Sequence, residues 1–80
     1  MAVRPRIPRA EPIRVVIVDD QEMVAQTFRR ILERAGMDVV AVASTIATGV
    51  AAAKEHAPDV VVVDYLLPDG LGTAAPFLAS

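Results

Sequence analysis

The chain has 80 residues, 54% of them apolar, with a formal net charge of -2 and no cysteine. That length allows one small domain of marginal stability, and the near-balanced charge argues against a nucleic-acid-binding module or a disordered acidic tail. The missing thiols exclude disulfide frameworks, zinc knuckles and thiolate catalysis, and no apolar run approaches the roughly 18 residues that span a bilayer. The N-terminus also lacks the apolar segment of a secretory signal, so the expectation is a soluble, cytoplasmic protein that contacts neither membrane nor nucleic acid.

Residues 1–12, MAVRPRIPRAEP, hold three of the six prolines together with Arg4, Arg6 and Arg9, and read as a disordered basic leader. From Ile13 to Val18, IRVVIV is a strand-like run of β-branched residues that ends at the pair Asp19 and Asp20. Residues Gln21 to Gly36 then place Val24, Phe28, Ile31, Leu32 and Ala35 at helical spacing, with charged residues on the remaining faces and Gly36 at a C-cap position. The sequence DVVAVA, Asp38 to Ala43, predicts a second strand. Ser44 or Thr45 is then an N-cap for a helix to about His56, with Ile46, Val50, Ala53 and Ala57 as its thin apolar stripe.

Val60 to Val63 is a continuous run of four valines, the pattern of a strand buried on both faces. It stops at Asp64 and leads into the turn Leu67-Pro68-Asp69-Gly70, in which Asp69 is a turn former. A last helix is expected from about Thr73. His56, next to Pro58, suits a helix C-terminus and has no second histidine with which to build a metal site.

The order strand, helix, strand, helix, strand is the alternating α/β pattern, with right-handed crossovers. If the first strand lies between the second and third, the two crossovers put their helices on opposite faces of the sheet. The ligand crevice then opens between the carboxyl ends of strands one and three. Those ends carry Asp19, Asp20 and Asp64, so apolar patterning alone brings three carboxylates together. Such a cluster stays ionised beside a bound cation, and Mg2+ is the first choice because it takes one or two carboxylates and keeps waters for a phosphoryl ligand. Asp64 can be read as a metal ligand or as a carboxylate nucleophile for phosphoryl transfer, and Asp20 alternatively as the N-cap of the first helix.

The segments VVIVDDQEMV and PDVVVVDYLLPDGLG, joined by helix, strand and helix, resemble the N-terminal part of a response-regulator receiver domain of two-component signalling. The resemblance covers about residues 13–80 and implies a partial flavodoxin-like receiver fold, three parallel strands in order 2-1-3 with helices on both faces. It implies a phosphorelay module rather than an enzyme. Asp64 would accept a phosphoryl group from the phosphohistidine of a sensor histidine kinase. Asp20 would ligate Mg2+ directly and Asp19 mainly through water, with Asp64 and the backbone carbonyl of Leu66 completing the protein ligands.

A receiver normally has five strand-helix units, so the chain is expected to be truncated in the third helix. It lacks the switch Ser/Thr after strand four and the lysine after strand five, and Lys54 in the second helix is no substitute. The expected consequences are weak Mg2+ binding, poor phosphorylation, and an uncovered apolar edge and helix face. Alternatives are self-association or docking on a full-length receiver without chemistry, and a gene remnant with no function of its own.

Overall fold

The computed structural model describes residues 11–64, as strand β1 (Arg14–Val18), helix α1 (Glu22–Arg34), strand β2 (Asp38–Ala43), helix α2 (Ile46–His56) and strand β3 (Val60–Val63). Most of the leader expected at 1–12, Leu66, the turn expected at 67–70 and the helix expected from Thr73 lie outside the described residues. The strands form one parallel sheet in the order β2-β1-β3, as the crossover argument requires.

The helices lie on opposite faces. Val15, Ile17 and Val39 form one core with Ala25 of α1, while Val16, Val18, Ala43, Val61 and Val63 form the other with Ile46 of α2. Each residue of Val15–Val18 is at most 1% exposed, which is why β1 shows no polar alternation. Full burial of each such side chain is worth about 1.5–3 kcal/mol.

Two details depart from simple patterning. In β2 the register with β1 slips between Val15 and Val16, so that Val39 pairs with Val15 but Ala41 with Val16. The extra residue, Val40, therefore joins Ala41 on the α2 face instead of alternating away from it.

Helix α1 is also rotated from the expected seating. Val24, Phe28 and Ile31 are 37%, 42% and 57% exposed, and the residue buried against the sheet is Ala25. A methyl side chain lets the helix backbone approach the sheet closely, with Leu32 packing beside it. Val24 and Phe28 are left along the side of the helix that faces β3.

Local chemistry dictates how α1 ends and how α2 begins. Gly36 adopts φ 90 beyond α1, and Met37 N–H donates to Leu32 O at 3.0 Å while Gly36 N–H donates to Glu33 O at 3.0 Å, a Schellman closure. Thr45 caps α2: its Oγ1 accepts from Thr48 N–H at 3.1 Å, and its own N–H donates to Thr48 Oγ1 at 3.3 Å. Ala57, expected in the apolar stripe, instead leaves the helix in the left-handed region at φ 46 and is exposed. At the amino-terminal edge of the sheet, Arg14 ties the α2–β3 connection to β1. Its N–H donates to Asp59 Oδ2 at 2.9 Å and its guanidinium to His56 O at 2.6 Å.

Candidate functional site

Because the strands are parallel, the residues that follow β1 and β3 emerge at one edge of the sheet. The ladders continue past the strands: Asp19 N–H donates to Ala43 O at 2.9 Å, and Asp64 N–H donates to Val18 O at 2.7 Å. These bonds fix the backbones that carry the acidic side chains. One carboxylate oxygen from each of Asp19, Asp20 and Asp64 lies within 4.8 Å of the others. Asp19 is buried at 8% exposure, Asp64 is half-buried and Asp20 is exposed.

The three have different local settings. Asp19 Oδ1 accepts the N–H of Gln21 at 2.8 Å, which holds the first turn of α1 against the end of β1. Gln21, not Asp20, is the residue at the helix N-cap position, and its side chain makes no capping bond. The Asp20 carboxylate is thus not the helix cap. A groove runs from the cluster between α1 and β3, walled by Ile17, Val24, Phe28 and Val62, with Asp19 and Asp64 at its rim. On the other side of α1, a second depression adds Glu22 and Ser44 beside Asp19 and Asp20.

The donor set fits a hard divalent cation. Octahedral coordination at about 2.1 Å places ligand oxygens roughly 3.0 Å apart when adjacent and 4.2 Å when opposite. An upper limit of 4.8 Å therefore suits direct ligation by some of the carboxylates with another acting through water. Lys54 sits in the last turn of α2, which returns to the amino-terminal end of the sheet, so it is remote from this cluster. His56 lies at that same far end, where its carbonyl serves Arg14.

The response regulator receiver domain family matches residues 15–76. The chain belongs to the receiver family. Over 62 residues it is 39% identical to the chemotaxis protein CheY of Bacillus subtilis, an alignment covering 78% of this chain and 52% of that protein. It is 36% identical over 62 residues to the probable transcriptional regulatory protein TcrX of Mycobacterium tuberculosis, covering 78% of this chain and 26% of the relative. It is also 41% identical over 61 residues to a protein-glutamate methylesterase/protein-glutamine glutaminase of Natronomonas pharaonis, covering 74% of this chain and 17% of the relative. No solved structure matches.

The receiver chain thus spans about half the length of one of these relatives and less of the others. Its relatives include proteins named as regulators and proteins named as enzymes, and membership places the receiver in phosphorelay signalling in general. The strand order and the helices on both faces are those of a partial flavodoxin-like receiver fold. No helix among the described residues is long and apolar enough to cross a membrane.

The sequence reading missed the Gln21 N–H, whose bond to Asp19 depends on a backbone turn that no side chain announces. It also missed the wall made by Val24, Phe28 and Val62, because helical spacing assigned the first two to the core. The half-open valine of β3 could have signalled a groove only once the seating of α1 was known.

Proposed function

We propose that this receiver takes a phosphoryl group on Asp64 from the phosphohistidine of a sensor histidine kinase, with Mg2+ held by Asp19, Asp20 and Asp64. The observation that carries the reading is the convergence of Asp64 with two carboxylates from the neighbouring strand at the open edge of the sheet. A carboxylate oxygen of Asp64 attacks phosphorus, the P–O bond forms as the P–N bond breaks, and the departing imidazole keeps the electron pair. The cation supplies positive charge for the phosphoryl oxygens. Asp19, anchored through the Gln21 amide, and the more exposed Asp20 orient the acidic face towards it. The Leu66 carbonyl, a further ligand by family resemblance, lies outside the described residues.

For the 80-residue chain taken alone, transfer is slow, because no lysine among the described residues reaches the cluster to meet phosphoryl charge. Incubation with a small phosphodonor should give Mg2+-dependent, acid-stable and alkali-labile label on the wild type and none on Asp64→Asn. Equal labelling of the two would sink the proposal.

The exposed Val24, Phe28 and Ile31 favour a second reading, association of this face with another receiver or with a second copy. Sedimentation should then show a concentration-dependent mass that Phe28→Ser abolishes. A mass independent of concentration in both proteins, with no complex formed on adding a full-length receiver, would remove this reading.

A further inference from the structure

A run of four identical side chains cannot fix its own register. Val60–Val63 pairs in parallel with Val15–Val18, and a shift of one residue exchanges the two faces of β3 yet replaces valine by valine through the middle of the ladder. Only the groups that bracket the run distinguish the alternatives. A slip that draws β3 inward brings Asp64 level with Val18, which is 0% exposed, and buries a carboxylate. A slip of one residue outward carries Asp64 about 3.3 Å further along the strand direction and turns its side chain to the opposite face, away from Asp19 and Asp20.

The outward slip is opposed at the other end of the strand. Asp59 N–H donates to Arg14 O at 2.8 Å, and Asp59 Oδ2 accepts the Arg14 N–H at 2.9 Å, so one residue closes both backbone groups of Arg14. The Arg14 guanidinium donates to His56 O at 2.6 Å, which keeps the last turn of α2 from yielding the residue that an outward slip requires. Outward slip would also draw the Asp59 carboxylate into the ladder opposite Val15, which is 1% exposed.

We propose that Asp59 is a positioning residue: its paired bonds with Arg14 lock the register of β3 at the amino-terminal edge and so set Asp64 beside Asp19 and Asp20 at the opposite edge. This rests on the reading of Asp64 as the phosphoacceptor and adds what holds it in place.

Asp59→Ala removes the lock and puts a small apolar side chain where the outward slip needs one, whereas Asp59→Asn keeps a carbonyl acceptor for the Arg14 N–H. With a small phosphodonor and Mg2+, the labelling rate of the 80-residue chain should fall roughly tenfold in Asp59→Ala, the scale of one hydrogen bond to a charged group, and return close to wild type in Asp59→Asn. In Asp59→Ala the nuclear Overhauser contact between the Asp64 amide and Val18 should give way to one between the Val63 amide and Val18. Thr45→Ala, which loses a helix cap without touching β3, should keep both the contact and the rate.

A further readout needs no variant. In the wild type the amides of Arg14 and Asp64 should show matching protection from hydrogen exchange, because opening the lock releases the strand. A wild-type rate and an intact Val18–Asp64 contact in Asp59→Ala, or free exchange of the Arg14 amide while that of Asp64 stays protected, overturns the register lock. Absence of label on the wild type overturns the phosphoacceptor reading instead, and the contact and exchange measurements still decide the lock.

Discussion

Ala57 holds a conformation that an alanine side chain disfavours. At φ 46 and ψ 59 its Cβ crowds the following carbonyl, a strain of about 1–2 kcal/mol that glycine lacks, although glycine loses more chain entropy on folding. Ala57→Gly should therefore raise stability by about 0.5–1 kcal/mol, measured by urea unfolding, and a lower midpoint at unchanged slope would contradict the strain argument. Asp20 offers a prediction of another kind. Its carboxylate adds to the repulsion among three acidic groups, so Asp20→Asn should melt at higher temperature than the wild type without divalent cation and gain less from added Mg2+. The convergence of Asp19, Asp20 and Asp64 was legible in the sequence because the Asp19-Asp20 pair and Asp64 each follow a run of β-branched residues, and the parallel sheet did the rest. The αL residue was not, since alanine carries none of the preference for positive φ that glycine or asparagine would have signalled.

Among the elements, α1 separates helical spacing from actual seating. The period that selects Val24, Phe28 and Ile31 is present in the sequence, yet the close contact is made by Ala25 at 0% exposure. Hydrophobicity alone ranks alanine low, whereas the distance between helix and sheet is set by the smallest side chain at the contact. Ala25→Leu should accordingly cost about 1–3 kcal/mol through overpacking, and Ile31→Ala should stay within about 0.5 kcal/mol of the wild type. The reverse order in denaturant titrations would restore the sequence-derived stripe. For α2 the cap was legible: Thr45 precedes the helix, and its reciprocal bonds with Thr48 make Thr45→Ala worth about 1 kcal/mol of stability. The bulge at Val40 was not legible, because DVVAVA carries no glycine or proline to mark it.

At the scale of the whole molecule, the three-stranded order follows from right-handed crossovers and valine-rich strands, and it alone brings the ends of β1 and β3 together. The same order leaves α1 with a half-exposed apolar flank beside β3, so the acidic edge and the apolar groove are two outcomes of one topology. We propose that the acidic side chains at the ends of two neighbouring strands form one cation site that serves Asp64. Paramagnetic broadening by Mn2+ tests it most directly, since Mn2+ accepts the same oxygen ligands as Mg2+. Trace Mn2+ should broaden the amide signals of Asp19, Asp20, Gln21 and Asp64 first and spare Asp38, Glu55 and Asp59, with excess Mg2+ restoring the lost signals. Broadening centred on Asp38, Glu55 or Asp59, or an absence of broadening at Asp64, would contradict a cation site shared by the two strand ends.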